Sequence, residues 1–317
     1  MLQRRMPAQG GGTECIMIVV DSHCDTAGRL LQGETLASCK GQWSLERARK
    51  YSGFVQFFAA FIPSEEQQPE AYCMALLDAV TDELHHNGLR AATTYRTLET
   101  DLTQNGFSCL LAVEGGCGDR PETVERLFQK GVRVMSLCWN EDTPWCGGCQ
   151  GEGGGLTAAG RKAVAEMNRL GMLIDVSHCS DQSFADLAAL SQKPLIATHS
   201  NAREICPHPR NLTREQFCMI RDQGGMVGLN LYPPFLSGSD CAAISDLLRH
   251  IDYFLSLGGE DHIGFGADFD GIDSCMFPVS GIESYEWLFH ELEKHYSESI
   301  VKKLFYENYF TFLKKNL

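Results

Sequence analysis

Residues 172–200 read MLIDVSHCSDQSFADLAALSQKPLIATHS. The stretch opens with a short apolar run at 172–176, passes through a helical segment at 180–191 that begins SDQSFADL, and returns to a second apolar run at 194–198. Both runs are apolar on both faces, which is the pattern of strands buried on two sides in a parallel sheet. A helix joining two such strands makes one strand–helix–strand unit. Each run is followed by a histidine, His178 and His199. In a parallel sheet those positions open onto the same face.

The same unit recurs outward in both directions. Further short apolar, β-branched runs lie at 16–21, 53–62, 108–113, 132–138, 225–231 and 262–267. Helical stretches lie between them. Residues 69–87 stop at Gly88, 157–170 run from Thr157 as N-cap to Gly171, 213–223 open with Thr213, and 242–257 end at Gly258-Gly259. Residues 281–317 read as two closing helices. Eight strand-like runs alternating with helices predict a (β/α)8 barrel, with a doubly wound open sheet as the alternative. The glycine-rich stretch 139–156 follows the fourth run. In a barrel it is a long loop on the active face. There is no internal repeat.

Hydrophobic residues make up 44% and charged residues 21% of the chain, enough to fill a large core. The net charge of -14 argues against a nucleic-acid partner. No apolar run is long enough to span a bilayer, so no membrane association is expected. Arg4 and Arg5 lack an apolar segment after them, unlike a secretory leader. Residues 1–15 are expected to be a disordered extension, with 16–317 forming one barrel domain. Met17 is an alternative start to Met1. The fourteen cysteines are scattered. They read as reduced, mostly buried thiols of a cytoplasmic protein, with Cys146 and Cys149 of WCGGC as unpaired loop cysteines and a local disulfide or an extra metal site as the alternatives for that pair.

The polar residues that carry chemistry fall at the ends of the apolar runs. The first run leads into His23 and Asp25, two apart on extended chain and so on one side of it. The third ends in Glu114-Gly115-Gly116, a carboxylate whose two oxygens can bridge two cations. His178 and His199 follow the fifth and sixth runs, and imidazole is the usual nitrogen ligand for zinc. Asp268 follows the eighth run and is either a ligand or the general base. Asp270-Gly271 reads as a turn pair. Five ligands exceed the needs of one catalytic zinc with an open position. They suit two ions about 3.5–4 Å apart, bridged by Glu114 and a hydroxide. No serine-nucleophile pattern competes.

These residues lie in motifs that resemble the renal (membrane) dipeptidase family of zinc peptidases. The matching segments are DSHCDT at 21–26, VEGG at 113–116, LIDVSHCS at 173–180, ATHSNAR at 197–203, HPRNLT at 208–213 and GADFDGI at 266–272. They follow the family's order and span nearly the whole chain after residue 16. The resemblance implies one zinc on His23, Asp25 and Glu114 and a second on Glu114, His178 and His199. It implies that Asp268 carries the proton, that Arg210 binds the substrate's terminal carboxylate, and that Tyr232 lines the substrate pocket. Vertebrate members have a substrate-binding histidine near the end of the fourth strand. Here Trp139 falls at that point, followed by Asn140. An indole N–H donates one hydrogen bond but cannot carry a proton, so Asn140 is the alternative donor.

The expected activity is therefore hydrolysis of small dipeptides by a two-zinc site in which Glu114 and Asp268 take catalytic roles. A deacylase or lactonase on the same metals is the second reading. A degenerate barrel acting as a binding module is the third. The resemblance alone implies a homodimer.

Overall fold

The computed structural model describes residues 17–317; the expected N-terminal extension lies outside them. Eight parallel strands form one sheet: β1 (Ile18–Cys24), β2 (Gly53–Phe61), β3 (Phe107–Glu114), β4 (Val132–Met135), β5 (Leu173–Ile174), β6 (Ile196–Ala197), β7 (Met226–Leu229) and β8 (Ile263–Phe265). Their order is β5-β4-β3-β2-β1-β8-β7-β6. The open ends meet where Asp175 bridges to Ile196 and the Val176 N–H donates to the Ile196 carbonyl at 2.8 Å. The sheet thus closes into the expected (β/α)8 barrel, not an open sheet.

β5 and β6 are shorter than the apolar runs that announce them. Pro194 has no N–H to give a ladder, and the Asp175 carboxylate takes the Ser177 and Thr198 backbone N–H groups in place of ladder partners. The chain therefore leaves the ladder early and enters the site loops.

The helices between the strands begin and end on local chemistry. Thr157, Ser180 and Thr213 cap Ala158–Leu170, Asp181–Leu190 and Arg214–Asp222 through their hydroxyls. Gly131 and Gly171 close helices in the left-handed region. After Ile282–Ser284, helix Tyr285–Leu292 is followed by one helical run from Glu298 to Asn316 with a π turn at Lys303–Glu307. These are the two closing helices.

The barrel interior is filled, not hollow. Val20, Val55, Phe57, Leu110, Ala112, Val134, Leu173, Ile196 and Met226 pack together with Tyr309, Phe312 and Leu313 of the final helix. The Tyr309 hydroxyl donates to Ser22 Oγ at 2.5 Å. Alternation along β3 carries the inward row from Leu110 and Ala112 to Glu114. Leu110 and Ala112 directly below Glu114 are apolar; Glu114 itself opens the polar layer at the strands' C-terminal ends.

Two glycines set the height of that layer. A Cβ on Gly228 would lie 2.0 Å from the Thr198 carbonyl oxygen, and one on Gly266 1.8 Å from it. Only glycine lets the backbone just after β6 come this close. Gly228→Ala should cost about 1–3 kcal/mol through overpacking. Chemical denaturation would measure this; an unchanged unfolding midpoint would remove the constraint.

Candidate metal centre

Glu114 ends β3 with its carboxylate buried at the barrel mouth. Its two oxygens face different partners. Oε2 lies 3.2 Å from His23 Nε2, while Oε1 lies 2.5 Å from His178 Nε2 and 3.4 Å from His199 Nε2. Asp25 Oδ2 is 3.4 Å from His23 Nε2. The five side chains thus form two overlapping groups, His23–Asp25–Glu114 and Glu114–His178–His199, each with its donor atoms within 4.8 Å of one another.

His23 and Asp25 do converge, by a route other than simple alternation. The register of β1 breaks between Asp21 and Cys24, and Asp25 is the N-cap of helix Thr26–Leu31 at φ -104°. The chain bends so that both side chains enter the barrel mouth. His178 and Asp268 have φ of 70° and 68°, left-handed values that few residues other than glycine adopt. Both aim a side chain inward from a loop.

Hydrogen-bond partners assign the histidine tautomers. Asn140 Oδ1, an acceptor, lies 2.8 Å from His178 Nδ1, so that nitrogen carries the proton. Thr198 Oγ1 donates to Asp175 Oδ2 and so accepts from His199 Nδ1 at 2.9 Å. Both Nε2 atoms are left with lone pairs, and they face each other at 2.8 Å. Two lone pairs at that distance repel unless a cation stands between them and Glu114. His23 Nε2 and Asp25 Oδ1 are buried without a hydrogen-bond partner. Bare donor atoms of this kind fit a pair of divalent cations, with outer groups orienting each ligand. Asp175 also lies near His23 and His199. Its oxygens are taken by Ser177, Thr198 N and Thr198 Oγ1, which makes it a support and not a ligand.

The charges show what the cluster needs. Burial would lower His23, but the Glu114 and Asp25 carboxylates outweigh it and hold His23 well above its usual value. Burial would raise Glu114, but His23 and His178 pull it well below the carboxylate range. Burial, followed by the charge of Glu114, pushes Asp25 up to about 6. Burial with the charges of Asp25 and Glu114 pushes Asp268 up to about 8, against the pull of His23 and Arg210. Burial and Arg210 bring His178 down to about 4, and burial, His23 and Arg210 hold His199 well below its usual value. The site favours neutral His178 and His199 and a protonated His23, facing carboxylates that lack enough positive charge.

Asp268 lies 3.7 Å through Oδ1 from His23 Nε2, and its Oδ2 accepts from Asn230 Nδ2 at 2.9 Å. A Cβ on Gly271 would lie 2.1 Å from Asp25 and 2.6 Å from Asp268, so this glycine does more than close the expected turn. Asp270 faces away and binds Thr26, Arg29 and the Gln42 N–H, as a structural residue does.

Arg210 is buried, donates to Ser200 Oγ at 3.2 Å and the His199 carbonyl at 2.9 Å, and leaves Nε unpartnered. Among the described residues no carboxylate pairs with it. Tyr232 packs edge-on at 5.0 Å against Phe235, whose ring also lies 5.4 Å from the Arg210 guanidinium carbon. Trp139 lies between Phe61 at 5.1 Å and the His178 ring at 6.1 Å. Asn140 turns its oxygen to His178, a partner that the sequence did not suggest. Asn230, Thr198 and Asp175 were likewise not singled out. Their signal was a polar residue at or just after a strand's C-terminal end, as in LNL at 229–231.

With the geometry in hand, likeness to known proteins is informative. The model of the membrane dipeptidase family, peptidase family M19, matches residues 15–316. The chain belongs to this family. Mouse dipeptidase 3 is 33% identical over 272 residues, covering 80% of this chain and 53% of its own. The chain therefore spans about half the length of that relative. Among solved structures, a metallopeptidase from Rhodobacter sphaeroides, bound to a phosphinate mimic of the dipeptide L-Ala-D-Ala, superposes with a TM-score of 0.87 at 28% identity, over 96% of this chain and all of its own. The family M19 dipeptidase AC gives 0.88 at 28% identity, over 95% and 99%. Family membership carries a metal-dependent hydrolase site, which suits the five convergent donors.

The metal-free protein should show this electrostatic debt. Asp268 at about 8 and the raised His23 hold protons in the folded state that the unfolded chain, at 3.8 and 6.5, has released. Between pH 6.5 and 8 the folded state then binds more protons, so stability falls as pH rises. The lowered His178 and His199 are neutral in the folded state but still bind protons in the unfolded chain near pH 6.5, which offsets part of the slope at the lower end of the window and little at its upper end. The thermal midpoint of chelated protein should drop across this window, and by less when zinc is restored. A midpoint that rises with pH would contradict the charge balance.

Proposed function

We propose that the protein is a two-zinc dipeptidase. One cation is held by His23, Asp25 and Glu114, the other by Glu114, His178 and His199. The split of the Glu114 oxygens between the two histidine groups carries this reading. When bound, such a pair lowers the pKa of water and polarises a carbonyl.

The chain's own residues do the rest. Arg210 is a buried guanidinium with an unused donor beside the cluster, suited to the substrate's C-terminal carboxylate. That contact fixes which amide stands over Glu114. Asp268 accepts the proton released by the attacking water and returns it to the departing amine. Its burial favours the protonated form, and Asn230 holds its orientation. Tyr232 and Trp139 supply aromatic walls to a pocket for two residues. Asn140 serves the reaction through His178. The mouse relative's name and the dipeptide mimic in the bacterial structure support a dipeptide substrate. No described helix is long and apolar enough to cross a membrane; a cytoplasmic homodimer remains part of the proposal.

Asp268→Asn should keep both metals and lose about 100-fold or more in kcat. Metal analysis beside dipeptide kinetics separates the two, and normal turnover would refute the assignment. Arg210→Met should raise KM for dipeptides by about 10–100-fold, the worth of a charge-assisted hydrogen bond. The variant and the native enzyme should differ little on a dipeptide amide, which lacks the carboxylate. Equal losses on both substrates would show that Arg210 acts otherwise.

A further inference from the structure

Behind His178 three more metal-ligating side chains meet. Cys138, Cys146 and Cys179 are buried, with their sulfurs within 4.8 Å of one another and Cys138 Sγ 3.8 Å from Cys179 Sγ. They come from three separate places. Cys138 follows β4, Cys179 follows β5, and Cys146 belongs to the glycine-rich 139–156 loop. Backbone bonds lock that loop to the β5 connection. The Cys149 N–H donates to the His178 carbonyl at 2.8 Å, and the Ser180 N–H to the Gly147 carbonyl at 3.0 Å. A Cβ on Gly147 or Gly148 would collide with the carbonyl of Gly154 or Glu141 at 2.1 or 2.3 Å. The loop is folded tightly around Cys146.

We propose that these three thiols form a third cation site, separate from the two-metal cluster, for one thiophilic closed-shell cation, zinc(II) or copper(I). Three sulfurs in one buried place select a soft cation over magnesium or calcium. With metal–sulfur bonds of about 2.3 Å, sulfurs in a tetrahedral site lie about 3.8 Å apart, which the Cys138–Cys179 pair already matches. A disulfide would need the sulfurs at about 2.05 Å and would leave one of the three thiols over. The Gly147 and His178 carbonyl oxygens, each 3.6 Å from Cys138 Sγ, are neutral donors near enough to complete the set. Each thiol gives its proton to solvent as it ligates, so one cation displaces three protons. Bound there, the cation would staple the loop that carries Asn140 to the connection that carries His178.

The two-metal cluster contains no cysteine, so a sulfur signal is distinct from it whatever the chain hydrolyses, and the cysteine variants distinguish this site from the chain's other thiols. Anaerobically purified full-length protein, loaded with zinc, is titrated with cadmium(II) and separately with copper(I) while thiolate charge-transfer absorption is followed. One equivalent should saturate the band. Cys146→Ser and Cys179→Ser should each lose most of it, and Cys241→Ser, at an exposed thiol, should keep it. In case the variants fold poorly, zinc-edge X-ray absorption on the native protein provides a second measurement, with sulfur scatterers expected at about 2.3 Å. Saturation by either metal supports the site and names its ion. No thiolate band with either metal, no sulfur scattering at both the zinc edge and, after copper(I) loading, the copper edge, or a mass lower by two hydrogens from a disulfide among the three would each overturn it.

Discussion

The structure turns on one carboxylate. Glu114 stands at the top of the inward row of β3, with one oxygen toward His23 and the other toward His178 and His199. The acids around it are strained as a set: Asp25 and Asp268 are both pushed up by burial and by the charge of Glu114. A protein interior tolerates such crowding only where cations offset it. Leu110 and Ala112 below Glu114 and the glycines at 228 and 266 fix the height at which the charges meet.

Around this core, a layer of neutral groups decides how each ligand points. Asn140 orients His178, Thr198 relays Asp175 to His199, and Asn230 holds Asp268. These bonds are geometric controls: they choose the ring nitrogen left bare and the carboxylate oxygen left free. They join the connections of neighbouring strands, and the one between Asp175 and Thr198 crosses the seam at which β5 and β6 close the barrel. Left-handed backbone at His178 and Asp268 belongs to the same design, since it turns a loop residue back over the strand ends.

Much of this was legible in the chain. The eight apolar runs gave the barrel because burial on both faces of a parallel strand is a local pattern. His23, Asp25, Glu114, His178, His199 and Asp268 each interrupt or follow such a run, so their shared face came from the same reading. The outer bonds were not legible. Asn140 and His178 are 38 residues apart, Asp175 and Thr198 23, and Asn230 and Asp268 38. Nothing local marks such a pair. The shortness of β5 and β6 was hidden for a related reason, because Asp175 diverts backbone donors that apolar composition assigns to the ladder. Cys146 was read only beside its near neighbour Cys149 and the other cysteines as scattered thiols, and only the folded loop brings Cys146 to Cys138 and Cys179.

In the function proposed above, the buried Arg210, which has no carboxylate partner among the described residues, directs this cluster to a small substrate with a free carboxylate. The alternative of a barrel without chemistry is hard to reconcile with four donor side chains converging on one carboxylate. Anomalous diffraction at the zinc edge from crystals of zinc-loaded protein tests the central claim most directly. Two peaks about 3.5–4 Å apart are expected at the barrel mouth, one on each side of Glu114. A single peak there, or two that do not share Glu114, would contradict the account.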